Sequence, residues 1–152
     1  MIAHNVLLEI KADAAALAGR EERGGILLGM RRGKHFHVDQ ATLPMTGDRG
    51  SRFAFRRGRA GHQQIARARW RQSAHRVDWL GEWHSHPEAI PSPSGIDLAS
   101  WRLITHRRGA PMLFLIIGYQ SIWLGLMRPA KAEPLVFIER ESSVAGVGFS
   151  AC

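Results

Sequence analysis

An unbroken apolar run, Met112 to Ile117, restricts the fold of this chain more than any other feature of the sequence. The run lies between Pro111 and Gly118, and it is much shorter than the roughly 20 residues that cross a membrane as a helix. Because it has no polar face for water, it is typical of a β-strand that is covered on both faces. We therefore expect this strand in the centre of a sheet with helices packed on it.

The remaining hydrophobic patterns alternate between helical and extended spacing. Helices are predicted over residues 5–17, ending at Gly19, over 60–73 and over 96–107. Strands are predicted over 26–30 and 35–43, which form a hairpin around Arg32-Gly33, and over 51–57, 76–86, 121–128 and 134–140. This order predicts an α/β fold with a central mixed sheet flanked by helices. We expect it to form one domain over residues 1–141, followed by a flexible tail over residues 142–152.

The charge of the chain indicates an acidic partner without identifying it. There are 21 Lys and Arg residues against 13 Asp and Glu residues, which gives a net charge of +8 with neutral histidines. Much of the excess lies between Arg52 and Arg76. We interpret this segment first as a solvated helix face. Docking to an acidic protein surface is the second interpretation, and binding to nucleic acid is the third.

The single cysteine limits the chemistry of any metal site. Cys152 is the last residue, so neither an internal disulfide framework nor a thiolate zinc cluster can form. A metal would have to be held by histidine and carboxylate side chains. The first residues lack the basic segment of a secretory signal, so we expect the protein in the cytoplasm.

The segment "GEWHSHPEAIPSPSGID", residues 81–97, carries side chains that suit a metal. On an extended strand His84 and His86 project to the same side, about 7 Å apart along the backbone. Two imidazoles can share one zinc, but catalytic zinc usually takes three protein ligands. Asp97 is the best candidate for the third, because it follows a proline-rich loop and lies in the first turn of the next helix, whose dipole favours a carboxylate.

Each of these residues also has an ordinary structural interpretation. Ser94 and Asp97 fit a capping box, in which the serine caps the helix and the acid caps back. A lone His-x-His on a strand is more often a surface or hydrogen-bonded core feature than a ligand pair. It is the combination of the two patterns that favours a metal site.

This combination resembles a known family. From His84 to Asp97 the sequence matches the H-x-H-P-x6-S-x2-D pattern of the JAMM (MPN+, Mov34/PAD-1) zinc metalloproteases at every fixed position. Upstream, "REERGGILLG" resembles the E-x-G-G-x-L-L-G arrangement of bacterial members. The resemblance implies a single-domain, cytidine-deaminase-like layered fold. It also implies a zinc ion held by His84, His86 and Asp97, with Glu22 as the general base and Ser94 as a donor to the oxyanion.

Within this family the chain is similar to a bacterial branch from antiphage operons of the CBASS or Bil type, through "GEWHSHPEAIPSPSGIDLASW" and "GDRGSRFAFRR". The resemblance implies a deubiquitinase-like isopeptidase, accompanied by E1- and E2-like enzymes. Such an enzyme cleaves after the C-terminal residue of a conjugated ubiquitin-like protein or cGAS-like nucleotidyltransferase. The sequence leaves open which of these is the substrate, whether precursors or conjugates are cut, and how many chains assemble.

Two other functions compete with hydrolysis. Zinc-dependent nucleotide deaminases also use α/β layering, but they need a P-C-x-x-C pair, and the only cysteine of this chain is its last residue. A catalytically silent MPN-type scaffold for protein interactions is the stronger alternative, and such relatives usually lack some ligands. All five expected residues are present here, which favours the hydrolase.

Overall fold

The computed structural model describes residues 1–16, 21–52, 54–58 and 60–151. Within these ranges the helices are α1 His4–Ala16, α2 Ala60–Gln72 and α3 Gly95–Arg108. The strands are β1 Ile2–Ala3, β2 Gly24–Arg32, β3 His35–Ala41, β4 Arg49–Ser51, β5 Ala54–Arg56, β6 Asp78–Ser85, β7 Met112–Ile117, β8 Ile122–Met127, β9 Leu135–Ser143 and β10 Gly146–Ala151. None of these described helices is both long and apolar enough to span a membrane.

Eight strands form one sheet in the order β1-β10-β9-β8-β7-β6-β2-β3, and this sheet closes on itself. The closure depends on β1, which pairs antiparallel with β10 and parallel with β3. β6 and β7 are also parallel, whereas the other neighbours in the sheet are antiparallel. The predicted mixed sheet flanked by helices is therefore confirmed.

Helices cover both faces of the strand that the apolar run predicted. All residues of β7 are buried. Leu113, Leu115 and Ile117 pack on the side of α1, in the largest core cluster. Met112, Phe114 and Ile116 pack on the opposite side, where they join Trp101 of α3. An alternating pattern would have exposed one side, so the uninterrupted run reflects burial on both.

The end of the chain differs from the prediction. Residues 142–152 were expected to form a flexible tail, but Gly146–Ala151 is strand β10, which pairs with β9 and β1. A Cβ on Gly146 would lie 2.5 Å from the carbonyl oxygen of Ile2. The small residues that suggested fraying therefore allow close pairing instead, and Val147 next to them is buried. Cys152 lies outside the described residues.

The stretch predicted as one strand over residues 51–57 also differs. It belongs to a separate two-stranded hairpin, in which β4 pairs with β5. Phe53 lies outside the described residues, as does Gly19, the predicted end of the first helix. The other predicted helices and strands are confirmed with shifts of a few residues at their ends.

Candidate metal centre

The end of β6 holds both histidines between two neighbouring strands. His84 lies opposite Gly24 of β2 on one side and Ile116 of β7 on the other. The amide of His86 donates to the carbonyl of Ile117 at 2.9 Å. Between them, Ser85 donates through its amide to the Arg23 carbonyl at 2.8 Å and accepts at its hydroxyl from the Arg23 amide at 3.0 Å. The backbone of this strand end is thus fixed on both edges.

The Gly-Gly pair at the start of β2 is required by close packing. A Cβ on Gly24 would lie 2.5 Å from the carbonyl oxygen of Trp83 and 2.7 Å from the ring of Phe55. A Cβ on Gly25 would lie 2.0 Å from the carbonyl oxygen of Thr42. A larger residue at Gly24 would push β2 away from β6, and one at Gly25 would push it away from Thr42, so the pair keeps the segment that carries the predicted general base next to the histidines.

A capping box orients the predicted third ligand at the start of α3. Ser94 is the N-cap, and its hydroxyl accepts from the amide of Asp97 at 3.2 Å. The Asp97 carboxylate accepts in return from the Ser94 amide at 2.7 Å and from its hydroxyl at 2.6 Å. The capping interpretation is therefore correct, and it directs the same carboxylate toward the histidines. The hydroxyl of Ser94 was expected to face the substrate, but in this structure it donates to Asp97.

Three donor groups converge at this point. The Nε2 atoms of His84 and His86 are 3.0 Å apart. Oδ1 of Asp97 lies 3.3 Å from the first and Oδ2 lies 3.4 Å from the second. In a tetrahedral zinc site with metal–ligand distances of about 2.0–2.1 Å, donor atoms are about 3.3 Å apart. The spacing and the chemistry of these donors therefore fit a divalent cation.

Glu22 lies beside this cluster, in the irregular segment that precedes β2. Its side chain is buried, with Oε1 at 3.8 Å from Nε2 of His86. Ligand atoms of Glu22, His84 and His86 lie within 4.8 Å of one another, so this carboxyl borders the same space. Asp97 is closer to both imidazoles, which favours Asp97 as the third ligand and leaves Glu22 free for another role.

The two carboxyl groups have opposite pKa shifts. Burial raises the pKa of Glu22 to about 7, although the neighbouring His86 opposes the shift. Burial also acts to raise the pKa of Asp97, but hydrogen bonds from His84 and His86 overcome it and lower that pKa well below its usual range. Asp97 is therefore a carboxylate at neutral pH, whereas Glu22 can both accept and release a proton.

Glu88 is a neighbour of the site that the sequence analysis missed. Its Oε2 lies 3.6 Å from Nδ1 of His86, on the side of the ring that faces away from the cluster. The amide of Ser92 donates to the same oxygen at 3.2 Å. A carboxylate behind a ligating histidine is typical of metal sites. The spacing of His86 and Glu88, two residues apart, was the only signal for this contact.

The cluster lies between two cavities. The larger, of about 750 Å³, is lined by His84 and Asp97 and extends between α2, α3 and β5. The smaller, of about 230 Å³, is lined by Glu22 and His86. The cluster therefore has open space on both the Asp97 side and the Glu22 side.

Fold and cluster together define an α/β domain with a candidate metal centre of two histidines and an aspartate, next to a buried glutamate. A family model described as prokaryotic homologs of the JAB domain matches residues 4–127. The chain therefore belongs to the prokaryotic JAB-domain family, and the resemblance drawn from its motifs is confirmed.

Relatives and a solved structure extend this finding. A protein from Pseudomonas aeruginosa named CD-NTase/cGAS isopeptidase is 42% identical over 118 residues, which cover 76% of this chain and 74% of the relative. Proteins of the same name from Escherichia coli and Vibrio cholerae are each 39% identical, over 68% of this chain and 66% of the relative. The solution structure of a protein from Desulfitobacterium hafniense has a TM-score of 0.62 at 20% identity, over 99% of this chain and 88% of that one. This last likeness shows a shared fold.

Proposed function

We propose that this protein is a zinc-dependent isopeptidase that frees a cGAS-like nucleotidyltransferase, or CD-NTase, from proteins to which its C-terminus is joined. The observation that carries the proposal is the convergence of His84, His86 and Asp97, with donor separations between 3.0 and 3.4 Å, next to the buried carboxyl of Glu22. The relatives named CD-NTase/cGAS isopeptidase support this substrate over a ubiquitin-like protein.

His84, His86 and Asp97 are the proposed zinc ligands. Two imidazole nitrogens and a carboxylate are a donor set that zinc accepts without thiolates. Bound there, zinc would polarise the scissile carbonyl and let a water molecule lose a proton near neutral pH. Glu88 would hold the ring of His86 from behind, so that Nε2 stays free for the metal.

Glu22 moves the proton in this proposal. Its carboxylate accepts a proton from water while the water oxygen bonds to the carbonyl carbon of the scissile amide. The same carboxyl then gives the proton to the amide nitrogen as the carbon–nitrogen bond breaks, so that a carboxylic acid and an amine leave. Burial raises the pKa of Glu22 to about 7 in the metal-free chain, so its surroundings tolerate the protonated form that the second transfer needs.

Ser94 is the proposed donor to the oxygen that gains negative charge. Its hydroxyl donates to Asp97 Oδ2 in this structure, so it would rotate toward the substrate during the reaction. Donors of this kind contribute about 2.7–4 kcal/mol to the stabilisation of the transition state.

The larger cavity is the proposed site for the C-terminal tail of the substrate. It is lined by His84 and Asp97 at the metal centre and by residues of β5. β5 pairs with β4, and among the described residues its other edge has no strand partner. An extended tail could add at that edge, with backbone hydrogen bonds giving affinity.

The E1- and E2-like enzymes that would form the conjugates are proposed partners. The cytoplasm is the proposed location of these enzymes and of this protein.

A cleavage assay tests the proposal. The substrate is a CD-NTase conjugate formed by the E1- and E2-like enzymes, incubated with wild type, Glu22→Gln and, as a matched control, Glu21→Gln on the exposed neighbour. We expect wild type and Glu21→Gln to cleave, a chelator to stop the reaction and zinc to restore it. Glu22→Gln should keep the metal and lose about 10²- to 10⁴-fold in rate. A zinc-loaded wild type that leaves the conjugate intact would favour the silent scaffold.

A further inference from the structure

A second buried polar cluster lies outside the metal centre. His62 of α2 is 1% exposed, and its Nδ1 contacts the Thr42 hydroxyl at 2.6 Å while its Nε2 contacts Oδ2 of Asp48 at 2.9 Å. The order hydroxyl, imidazole, carboxylate is that of a nucleophilic triad. The Thr42 hydroxyl, however, is buried and also accepts from the amide of Ile26 at 2.9 Å, so no substrate can reach it. The cluster must act through structure.

Asp48 joins the two ends of the segment that carries the β4–β5 hairpin. Its Oδ2 accepts from the amide of Met45 at 2.7 Å, and its Oδ1 accepts from the amide of Gly58 at 2.6 Å. Burial acts to raise the pKa of Asp48, but these bonds and the one from His62 overcome it and lower that pKa. His62 then ties this closed segment to Thr42, at the end of β3 and beside β2.

The hairpin in turn supports the backbone of Glu22. The amide of Glu22 donates to the carbonyl of Ser51 at 2.8 Å. A Cβ on Gly50 would lie 2.3 Å from the carbonyl oxygen of Glu22, so β4 lies directly against this residue. Glu22 precedes the first residue of β2 and has no place in the main sheet. Ser85 of β6 holds the next residue, Arg23, and the hairpin holds the backbone of Glu22 itself.

We propose that Asp48 and His62 are positioning residues, which fix the carboxyl of Glu22 beside the metal centre through the β4–β5 hairpin. The inference rests on the proposed function for the role of Glu22 in catalysis. A hairpin released at its base would let Glu22 move away from His86, and misplacement of a reacting group by about 1 Å can cost on the order of 100-fold in rate. The proposed ligand His84 lies on β6, His86 directly follows this strand and Asp97 lies on α3, so their affinity for zinc should not change.

Amide hydrogen exchange measured by NMR tests the positioning directly and needs no activity. His62→Gln and Asp48→Asn should accelerate exchange of the Glu22 amide by at least roughly tenfold, because its acceptor on Ser51 becomes mobile. The amide of His86, bonded to Ile117 in the main sheet, should keep its wild-type rate. Val147→Ala, which weakens the core far from the hairpin, is the control for general destabilisation and should leave the Glu22 amide protected.

Kinetics of the same variants then test the consequence. In the conjugate assay, kcat should fall on the order of 10- to 100-fold with KM and zinc content unchanged in both variants, and Val147→Ala should keep the wild-type kcat. Unchanged exchange at Glu22 in both variants, or the same acceleration in Val147→Ala, would overturn the proposal. If wild type itself cleaves no conjugate, the proposed function fails, and the exchange data still decide the positioning of Glu22. Two variants are used so that failure of one to fold leaves the other to decide.

Discussion

The two carboxyl groups of the candidate metal centre differ in their surroundings. Glu22 is buried without a strong partner, and its pKa rises to about 7. Asp97 is half-buried, which acts to raise its pKa, but hydrogen bonds from the two histidines overcome this and lower it. Neighbouring groups whose pKa values are driven apart are typical of acid–base sites. One residue is thus suited to holding a cation and the other to carrying a proton.

The raised pKa of Glu22 predicts how stability depends on pH in the metal-free protein. Its pKa is about 7 in the folded chain against an ordinary value of 4.5, so the folded state binds the proton more tightly. The resulting stabilisation is complete below the ordinary value and is lost as the pH rises through about 7. Glu22→Gln cannot ionise, so its gain in Tm over wild type should grow over this interval. Thermal unfolding of both proteins in the presence of a chelator, measured across this pH interval, gives the two Tm values. A difference in Tm that does not change with pH would contradict the raised pKa of Glu22.

Ser94 allows capping to be separated from catalysis. Replacing an N-cap serine by alanine costs about 1 kcal/mol, whereas glycine costs only a few tenths. Both Ser94→Ala and Ser94→Gly remove the hydroxyl. If the hydroxyl donates to the oxyanion, both variants should lose about 100- to 1000-fold in kcat, although urea unfolding finds only the alanine variant clearly destabilised. If Ser94→Gly instead keeps a kcat close to wild type and only the destabilised Ser94→Ala loses activity, Ser94 acts only as the helix cap.

The residues that converge in the candidate site could be selected from the sequence because each lies in a short motif with fixed spacing, while their roles stay predictions. The proposed ligands and Ser94 lie within residues 84–97, and Glu22 lies two residues before a glycine pair. The cluster of Thr42, Asp48 and His62 could not be found in this way, because its contacts join residues 14 and 20 positions apart on a loop and a helix. Contacts of that kind depend on packing, for which local sequence carries no signal.

At the scale of elements, β10 shows where hydrophobic pattern stops being informative. The strand contains two glycines and an alanine and reads as a flexible tail, yet Val147 is 6% exposed and lies opposite Ile2 of β1. β1 itself has only two residues, too few for any periodicity. Both strands form because the rest of the sheet already presents their partners, so the closure of the sheet could not be predicted from the sequence.

Two valines of this region provide a matched test of β10. Val147 is buried in the core cluster, whereas Val144, in the turn before it, is fully exposed. Val147→Ala should lower the free energy of unfolding by about 2 kcal/mol, because it removes two buried methyl groups. Val144→Ala should change it by less than about 0.5 kcal/mol. Urea unfolding measures both changes in the free energy of unfolding. Equal changes would mean that β10 does not pack in the core and that the end of the chain is a flexible tail.

At the scale of the whole molecule, four arginines line the larger cavity beside the candidate metal centre. Arg57 and Arg108 are paired with Glu82 and Asp78. Arg56 and Arg107 also line the cavity, and both are exposed without an ion-pair partner among the described residues. Exposed arginines of α2 thus form a solvated face, whereas Arg56 and Arg107 add positive charge to the lining of the cavity.

This placement predicts a charge effect on substrate binding. Arg56→Gln with Arg107→Gln should raise KM for the conjugate on the order of 10-fold with kcat unchanged, because it removes attraction without touching the reacting groups. The matched control is Arg67→Gln with Arg71→Gln, which removes the same charge from the exposed face of α2. Initial rates at low and high salt provide the KM values. The difference in KM between the two double variants should shrink at high salt, because salt screens the attraction between the charges. Equal KM values for the two double variants would contradict a role for the cavity arginines.

Zinc binding by the purified protein tests the central claim most directly. Metal-depleted wild type should take up a single zinc ion per chain, measured by elemental analysis after gel filtration. His84→Asn and Asp97→Asn should lose most of this zinc, and Asp97→Asn keeps a side chain that can cap the helix. His106→Asn, on the exposed part of α3, should bind as wild type does. If wild type takes up no zinc, or if the two ligand variants hold it as tightly as wild type, these side chains do not form a metal site.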